Sequence, residues 1–233
     1  SISKSDLCSD LVGEYPELQG VMGKYFALAQ GFEEDVANSV SDHYLPIGLT
    51  SVLPKKPFSY SISIVDKIDT LVGFFIIDEK PTSSKDPFAL RRAAIGLLRI
   101  IIENKLSFKL RDLISYAIRL YQEQGVKIKN EKAEQQVLEF IKERMRNVLK
   151  LKNIKIDVIE ASISSHAGDN FLALYAKTLL MNKYKNKGIG LNAINSYKRA
   201  SNILDKAGKR ITGRPDAVLF RKDEEKILHE KIN

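Results

Sequence analysis

Cysteine is almost absent from this chain of 233 residues; Cys8 is the only one. A single thiol excludes a disulfide framework and fits a reducing, cytoplasmic setting. With no histidine near it in sequence, Cys8 is expected to be a small buried residue rather than a nucleophile. Long apolar runs are missing too. The longest, Ala93 to Ile102, is broken by Arg99 and is far too short to cross a bilayer, so no membrane partner is expected. The Gly-Ile-Gly at 188–190 lacks the strand–turn–helix setting of a phosphate-binding loop, and no serine-centred nucleophile elbow occurs. Neither a secretory leader nor a methionine opens the chain. Ser1 starts inside a pattern already under way and the last residues read as helix, so a piece of a longer protein is expected.

What is present is an ordinary globular composition, 44% hydrophobic and 28% charged with seven prolines, enough for one large or two medium domains. The charge is unevenly placed. Residues 1–90 hold 7 Lys/Arg against 13 Asp/Glu, whereas residues 91–233 hold 30 against 16. The densest portion, 177–214, sets ten cations against Asp205 alone, with Tyr184 and Tyr197 among them. Such asymmetry points to a polyanionic partner for the second part. Clustered Lys/Arg suits phosphate neutralisation, and the plainer alternative is a solvated lysine-rich surface.

Nearly every periodic segment has the helical period. Leu110, Leu113, Ile114, Ala117, Ile118 and Tyr121 form one stripe, and Val137, Leu138, Ile141, Met145, Val148 and Leu149 another. Ala173, Leu174, Ala176, Leu179 and Leu180 make a third. A fourth runs through Ala193, Ile194, Tyr197, Ala200, Ile203 and Leu204. The alternation at 59–65 gives way to Val65, Ile68, Leu71, Val72 and Phe75 at helical spacing, and 151–161 is also taken as helical. The expected class is all-α, with turns at the Pro- and Gly-marked stretches and a domain boundary at 103/104.

One bend stands out, the stretch KPTSSKDPFALRR at 80–92. Asp86 can cap a helix whose first position suits Pro87, which predicts a helix over about 87–103. Capping leaves Lys85, Arg91 and Arg92 unexplained. Cations at a helix N-terminus oppose the macrodipole by about 0.3–1 kcal/mol, so they call for a phosphate or an acidic neighbouring face.

The acidic half also offers metal-ligand types. Asp66 and Asp69 are three apart on an expected helix and can share a face; His43 and Asp6 are further candidates. The early Asp, mid-chain His and late DKID resemble the arrangement of HD phosphohydrolases, helical enzymes that hold metal through a His, a His-Asp pair and a distant Asp. No His-Asp dipeptide is present, and His43, His166 and His229 are widely separated. A catalytic site needs three or more converging ligands, so the expected site is degenerate, with a metal-dependent phosphohydrolase as the alternative.

A longer resemblance covers essentially the whole chain. KSDLCSDLVGEYPELQGVMGKYFAL (4–28), SDHYLP (41–46), VDKIDTLVGFF (65–75), PTSSKDPFALRRAAIGLLRI (81–100) and KRASNILDKAG (198–208) resemble, in order, blocks of the beta subunit of bacterial heterotetrameric glycyl-tRNA synthetase. The resemblance implies a degenerate HD-like helical domain over 1–103 and a basic helical tRNA-binding body over 104–233 that leads into an anticodon-binding-like domain. It implies no catalytic residue here: glycine activation, with ATP and Mg, belongs to the alpha subunit of an alpha2beta2 assembly, and this fragment needs no cofactor. The implied partners are that subunit and tRNA(Gly). Lys85, Arg91, Arg92, Lys183, Lys185, Lys187, Lys198, Arg199, Lys209, Arg210 and Arg214 would meet the RNA backbone. Tyr184 is the candidate for stacking on an exposed base, while Tyr197, on an apolar stripe, is expected in a core.

Overall fold

The computed structural model describes residues 2–48, 50–82, 84–165, 168–185, 187–207 and 215–232. Among them there is no strand, so the all-α expectation holds. Two compact units divide the chain at Ser1–Lys183 and Tyr184–Asn233.

The first unit opens with a 3₁₀ segment, Ile2–Cys8, followed by α1 (Asp10–Glu14), a 3₁₀ turn at Pro16–Leu18, α2 (Val21–Ala29) and α3 (Glu34–Asp42). Cys8 is exposed, contrary to expectation, because it ends the 3₁₀ segment on its solvent side. The principal core lies between α4 (Pro57–Ile76), α5 (Leu90–Glu103), α6 (Leu110–Glu123) and α7 (Ala133–Leu151), with α8 (Ile156–Ser164) and α9 (Phe171–Tyr184) completing it. Each helix supplies a stripe. Ile64, Ile68, Leu71, Val72 and Phe75 of α4 meet Leu97, Leu98, Ile100 and Ile101 of α5, and Val137, Ile141, Met145 and Leu149 of α7 close over them. Because α5 packs on α7 and α4 on both α6 and α7, one apolar core runs through 103/104. The unit boundary falls at 183/184 instead.

Two stripes are phased differently from the expected ones. Val65 stays 64% exposed while Ile64 is buried. On α9 the packed face is Phe171, Leu174 and Thr178, and Leu179 and Leu180 remain exposed. That helix is apolar on every side, so sequence periodicity cannot choose a face, and the packing does.

The second unit holds α10 (Gly188–Ala207), a 3₁₀ turn at Ala217–Leu219 and α11 (Asp223–Ile232). None of the described side chains of α10 is buried, and Tyr197 is 74% exposed, so its expected place in a core is not found.

Candidate functional site

The segment between α3 and α4 is held down by a polar stripe that crosses the buried face of α4. Ser59, Ser63 and Lys67, spaced one helical turn apart, are all buried. The Ser59 hydroxyl donates to Asp42 Oδ2 at 2.8 Å and the Ser63 hydroxyl to the Leu45 carbonyl at 2.6 Å. Lys67 Nζ donates to the carbonyls of His43 (3.2 Å) and Leu45 (2.8 Å) and to Ser63 Oγ (2.8 Å), which uses all three ammonium protons. Burial lowers its pKa from 10.5 to about 8. Gly96 of α5 leaves room for this stem; a Cβ there would come within 2.9 Å of Lys67 Cε and 3.3 Å of Pro46 Cγ.

The expected metal-ligand types do not assemble around this stripe. His43 is fully buried, its Nδ1 2.8 Å from the Val40 carbonyl, so Nδ1 carries the proton and the unpartnered Nε2 is an acceptor. Burial lowers its pKa against the opposing pull of Asp66. Asp66 is engaged by Lys4 at 2.5 Å, and Asp6 Oδ2 accepts the Gly20 amide at 2.6 Å. Asp69 is exposed on α4, with its carbonyl accepting from the Tyr121 hydroxyl at 3.3 Å. Asp66 and Asp69 therefore share a helix but no site. No three His, Cys, Asp or Glu side chains converge as a metal set among the described residues. The phosphohydrolase alternative is not supported. His166 lies outside the described residues.

The bend before α5 is built differently from the expected cap. Thr82 and Lys85 hydrogen-bond each other, the Thr82 amide to the Lys85 carbonyl at 3.0 Å and the Lys85 amide to Thr82 Oγ1 at 3.2 Å. Asp86 does cap the helix, accepting the amides of Leu90 (2.9 Å) and Arg91 (3.0 Å) on its two oxygens. To reach that far, the chain spends residues 87–89 in a turn that ends with Ala89 in the left-handed region (φ 56°), so α5 starts at Leu90 and not at Pro87. Phe88 lies flat on Phe74 of α4, ring centroids 3.9 Å apart, which anchors the turn. The three cations then separate. Arg91 donates to the Thr82 carbonyl and so locks the bend. Lys85 is exposed. Arg92 is exposed and holds no hydrogen bond or ion pair among the described residues.

Arg92 faces a cavity of about 570 Å³ between the Pro16–Leu18 turn, α4 and the start of α5. Phe88, Tyr44, Asp66, Thr70 and Glu17 are among its walls and Lys67 contributes to its floor. Two of the sequence-derived residues, Asp66 and Arg92, both line this hollow.

The other expected contacts lie around the start of the second unit. Lys183, Lys187, Lys198 and Arg199 are exposed, and Lys185 is half-buried. Lys187 places its ammonium 5.4 Å from the centroid of the half-exposed Tyr184 ring, a cation–π pair on the ring expected to stack on a base. Lys209, Arg210 and Arg214 lie outside the described residues.

Residues 1–164 match the family model described as glycyl-tRNA synthetase beta subunit. The chain belongs to that family. It is 42% identical over 227 residues to a glycine–tRNA ligase beta subunit of Rickettsia canadensis, covering 97% of this chain and 32% of the relative. Similar matches are found in Ruegeria (38% over 209 residues, 90% and 29% covered) and Paracoccus denitrificans (36% over 236 residues, 100% and 33%). The chain therefore spans about a third of the length of these relatives.

Family membership accounts for the resembling blocks read above, yet Lys4, Tyr44, Lys67 and Phe88 were not among the site residues that sequence reasoning singled out. A signal for Lys67 was present: polar residues at 59, 63 and 67 recur every fourth position, and 63 and 67 are followed by Ile64 and Ile68 of the buried stripe.

Proposed function

We propose that this chain is a non-catalytic, RNA-binding part of a glycine–tRNA ligase, and that it supports glycylation of tRNA(Gly) by a separate catalytic subunit in the cytoplasm. The observation that carries the reading is the family match, which runs through 1–164 and extends at about 40% identity over nearly the whole chain to proteins named glycine–tRNA ligase beta subunit. The name of those relatives implies a second subunit; on this reading that subunit, paired as alpha2beta2, uses ATP and Mg for amino-acid activation.

The physical features agree with such a division of labour. The basic portion presents Lys183, Lys187, Lys198 and Arg199 to solvent, and Arg92 extends the exposed cations to the first unit. Cations of this kind bind a phosphate backbone with an affinity that falls steeply with salt. They need no catalytic geometry. No helix among the described residues is long and apolar enough to cross a membrane.

The test is a salt titration of tRNA(Gly) binding by the ligase that contains this chain, with Lys198 and Arg199 both changed to alanine. Loss of two phosphate contacts should reduce the slope of log K against log salt by roughly 1–2 and weaken binding at low salt. An unchanged slope and affinity would remove these residues from the interface, and indifference of the whole assembly to tRNA would overturn the function.

A further inference from the structure

We propose that the cavity between the Pro16–Leu18 turn, α4 and the start of α5 is a pocket for one nucleotide, with the phosphate on Arg92 and the base against Phe88. Three features of the cavity carry this. First, its volume of about 570 Å³ lies within the range of sites that enclose small ligands. Second, Arg92 stands at it as an exposed guanidinium without a hydrogen-bond or ion-pair partner among the described residues, in contrast to its neighbour Arg91, which is tied to Thr82. A planar guanidinium with unused donors matches the oxygens of a phosphate. Third, Phe88 is 43% exposed at the cavity wall and is held rigid from one side by Phe74 at 3.9 Å. An aromatic ring fixed in this way is a platform on which any base can stack.

The remaining walls favour a base over another anion. Asp66 has one carboxylate oxygen on Lys4 at 2.5 Å, and Glu17 is exposed; both line the cavity. Carboxylates beside the pocket repel a second phosphate or a free carboxylate ligand and accept hydrogen bonds from exocyclic amines, which selects adenine, cytosine and guanine over uracil. The ligand class is therefore a nucleoside phosphate with an amino-bearing base, whether free or as an unpaired nucleotide of an RNA. The RNA source rests on the proposed function; the pocket itself does not.

The experiment titrates the chain with AMP, CMP, GMP, UMP and inorganic phosphate, then titrates the intact ligase with tRNA(Gly), in each case comparing the parent with Phe88→Ala and Arg92→Ala. Circular dichroism and thermal melting establish that each variant is folded. AMP, CMP or GMP should bind at least several-fold more tightly than UMP and phosphate, and either substitution should weaken that binding about tenfold. If the nucleotide belongs to RNA, the same substitutions also weaken tRNA(Gly); if it is free, tRNA affinity is unchanged while mononucleotide binding is lost. Failure of both mononucleotides and tRNA to respond to Phe88→Ala in a folded variant overturns the pocket and leaves RNA binding by the ligase standing. Nucleotide binding by a ligase that ignores tRNA overturns the RNA reading and leaves the pocket.

Discussion

Helices α5 and α10 both carry apolar residues at helical spacing, and they end in opposite surroundings. In α5 eight residues are buried, among them Leu90, Ala94, Leu97, Leu98 and Ile101, because α4 and α7 each present a complementary stripe. In α10 the equivalent positions Leu191, Ile194, Ile203 and Leu204 are 45%, 37%, 68% and 51% exposed. An apolar stripe is half of an interaction. Its energy is realised only where a second stripe removes it from water, at about 25 cal/mol per Å² of apolar surface. The first unit therefore rests on mutual burial. The described part of the second offers apolar and cationic groups to whatever solvent or partner meets them.

The largest effects should fall on the first of these helices. Leu97 is completely buried, and Leu97→Ala removes a side chain from the junction of α4, α5 and α7, at an expected cost of about 2–5 kcal/mol in urea unfolding. A loss below about 1 kcal/mol would mean that this core collapses around the cavity and that the contrast with α10 is smaller than drawn. Next in size is a pH effect from the buried ammonium beneath the nucleotide pocket. Lys67 has a pKa of about 8 in the folded chain against its ordinary 10.5. Between those values the unfolded chain holds the proton and the folded chain does not, so stability rises with pH across the window. Below pH 8 both states are charged and the burial penalty is fully present; above 10.5 both are neutral and it is gone. Relative to Lys67→Met, the parent should gain roughly 3 kcal/mol between these limits, read as the difference between the two stability–pH curves. Parallel curves would mean that the three oxygen acceptors hold the charged form as well as water does.

The helices themselves were legible because the first unit's sequence repeats at 3.6 and breaks at Pro and Gly. The stripe of α7 over Val137 to Leu149 is buried as its periodicity predicts. Where legibility failed, the missing information was tertiary. A capping Asp86 is visible in sequence, but not that its carboxylate would reach Leu90 and Arg91 across a left-handed Ala89. A pair of adjacent arginines is visible, but not that Arg91 would be spent on Thr82 while Arg92 opens on a cavity. Asp66 and Asp69 have the spacing of a shared helix face, but Lys4, arriving from the far end of the segment, takes one of them alone. Charge asymmetry and motif order pointed to RNA and to the family; geometry was needed to separate structural cations from available ones.

The smallest expected effect is the one that most sharpens the comparison. Leu204→Ala in α10 should change the stability of this chain by no more than about 0.5 kcal/mol, because the side chain is half exposed and none of the described residues of its helix is buried. The amides of α10 should likewise exchange with solvent faster than those of α5, since protection follows buried apolar contacts and not helix length. Equal protection in the two helices, together with a loss near that of Leu97→Ala, would show that the α10 stripe is covered in solution. The same substitution made in the ligase assembly proposed above then separates two uses of the stripe. A cost that appears only there locates a protein surface over α10, whereas a change confined to tRNA affinity assigns the exposed apolar face to the RNA side.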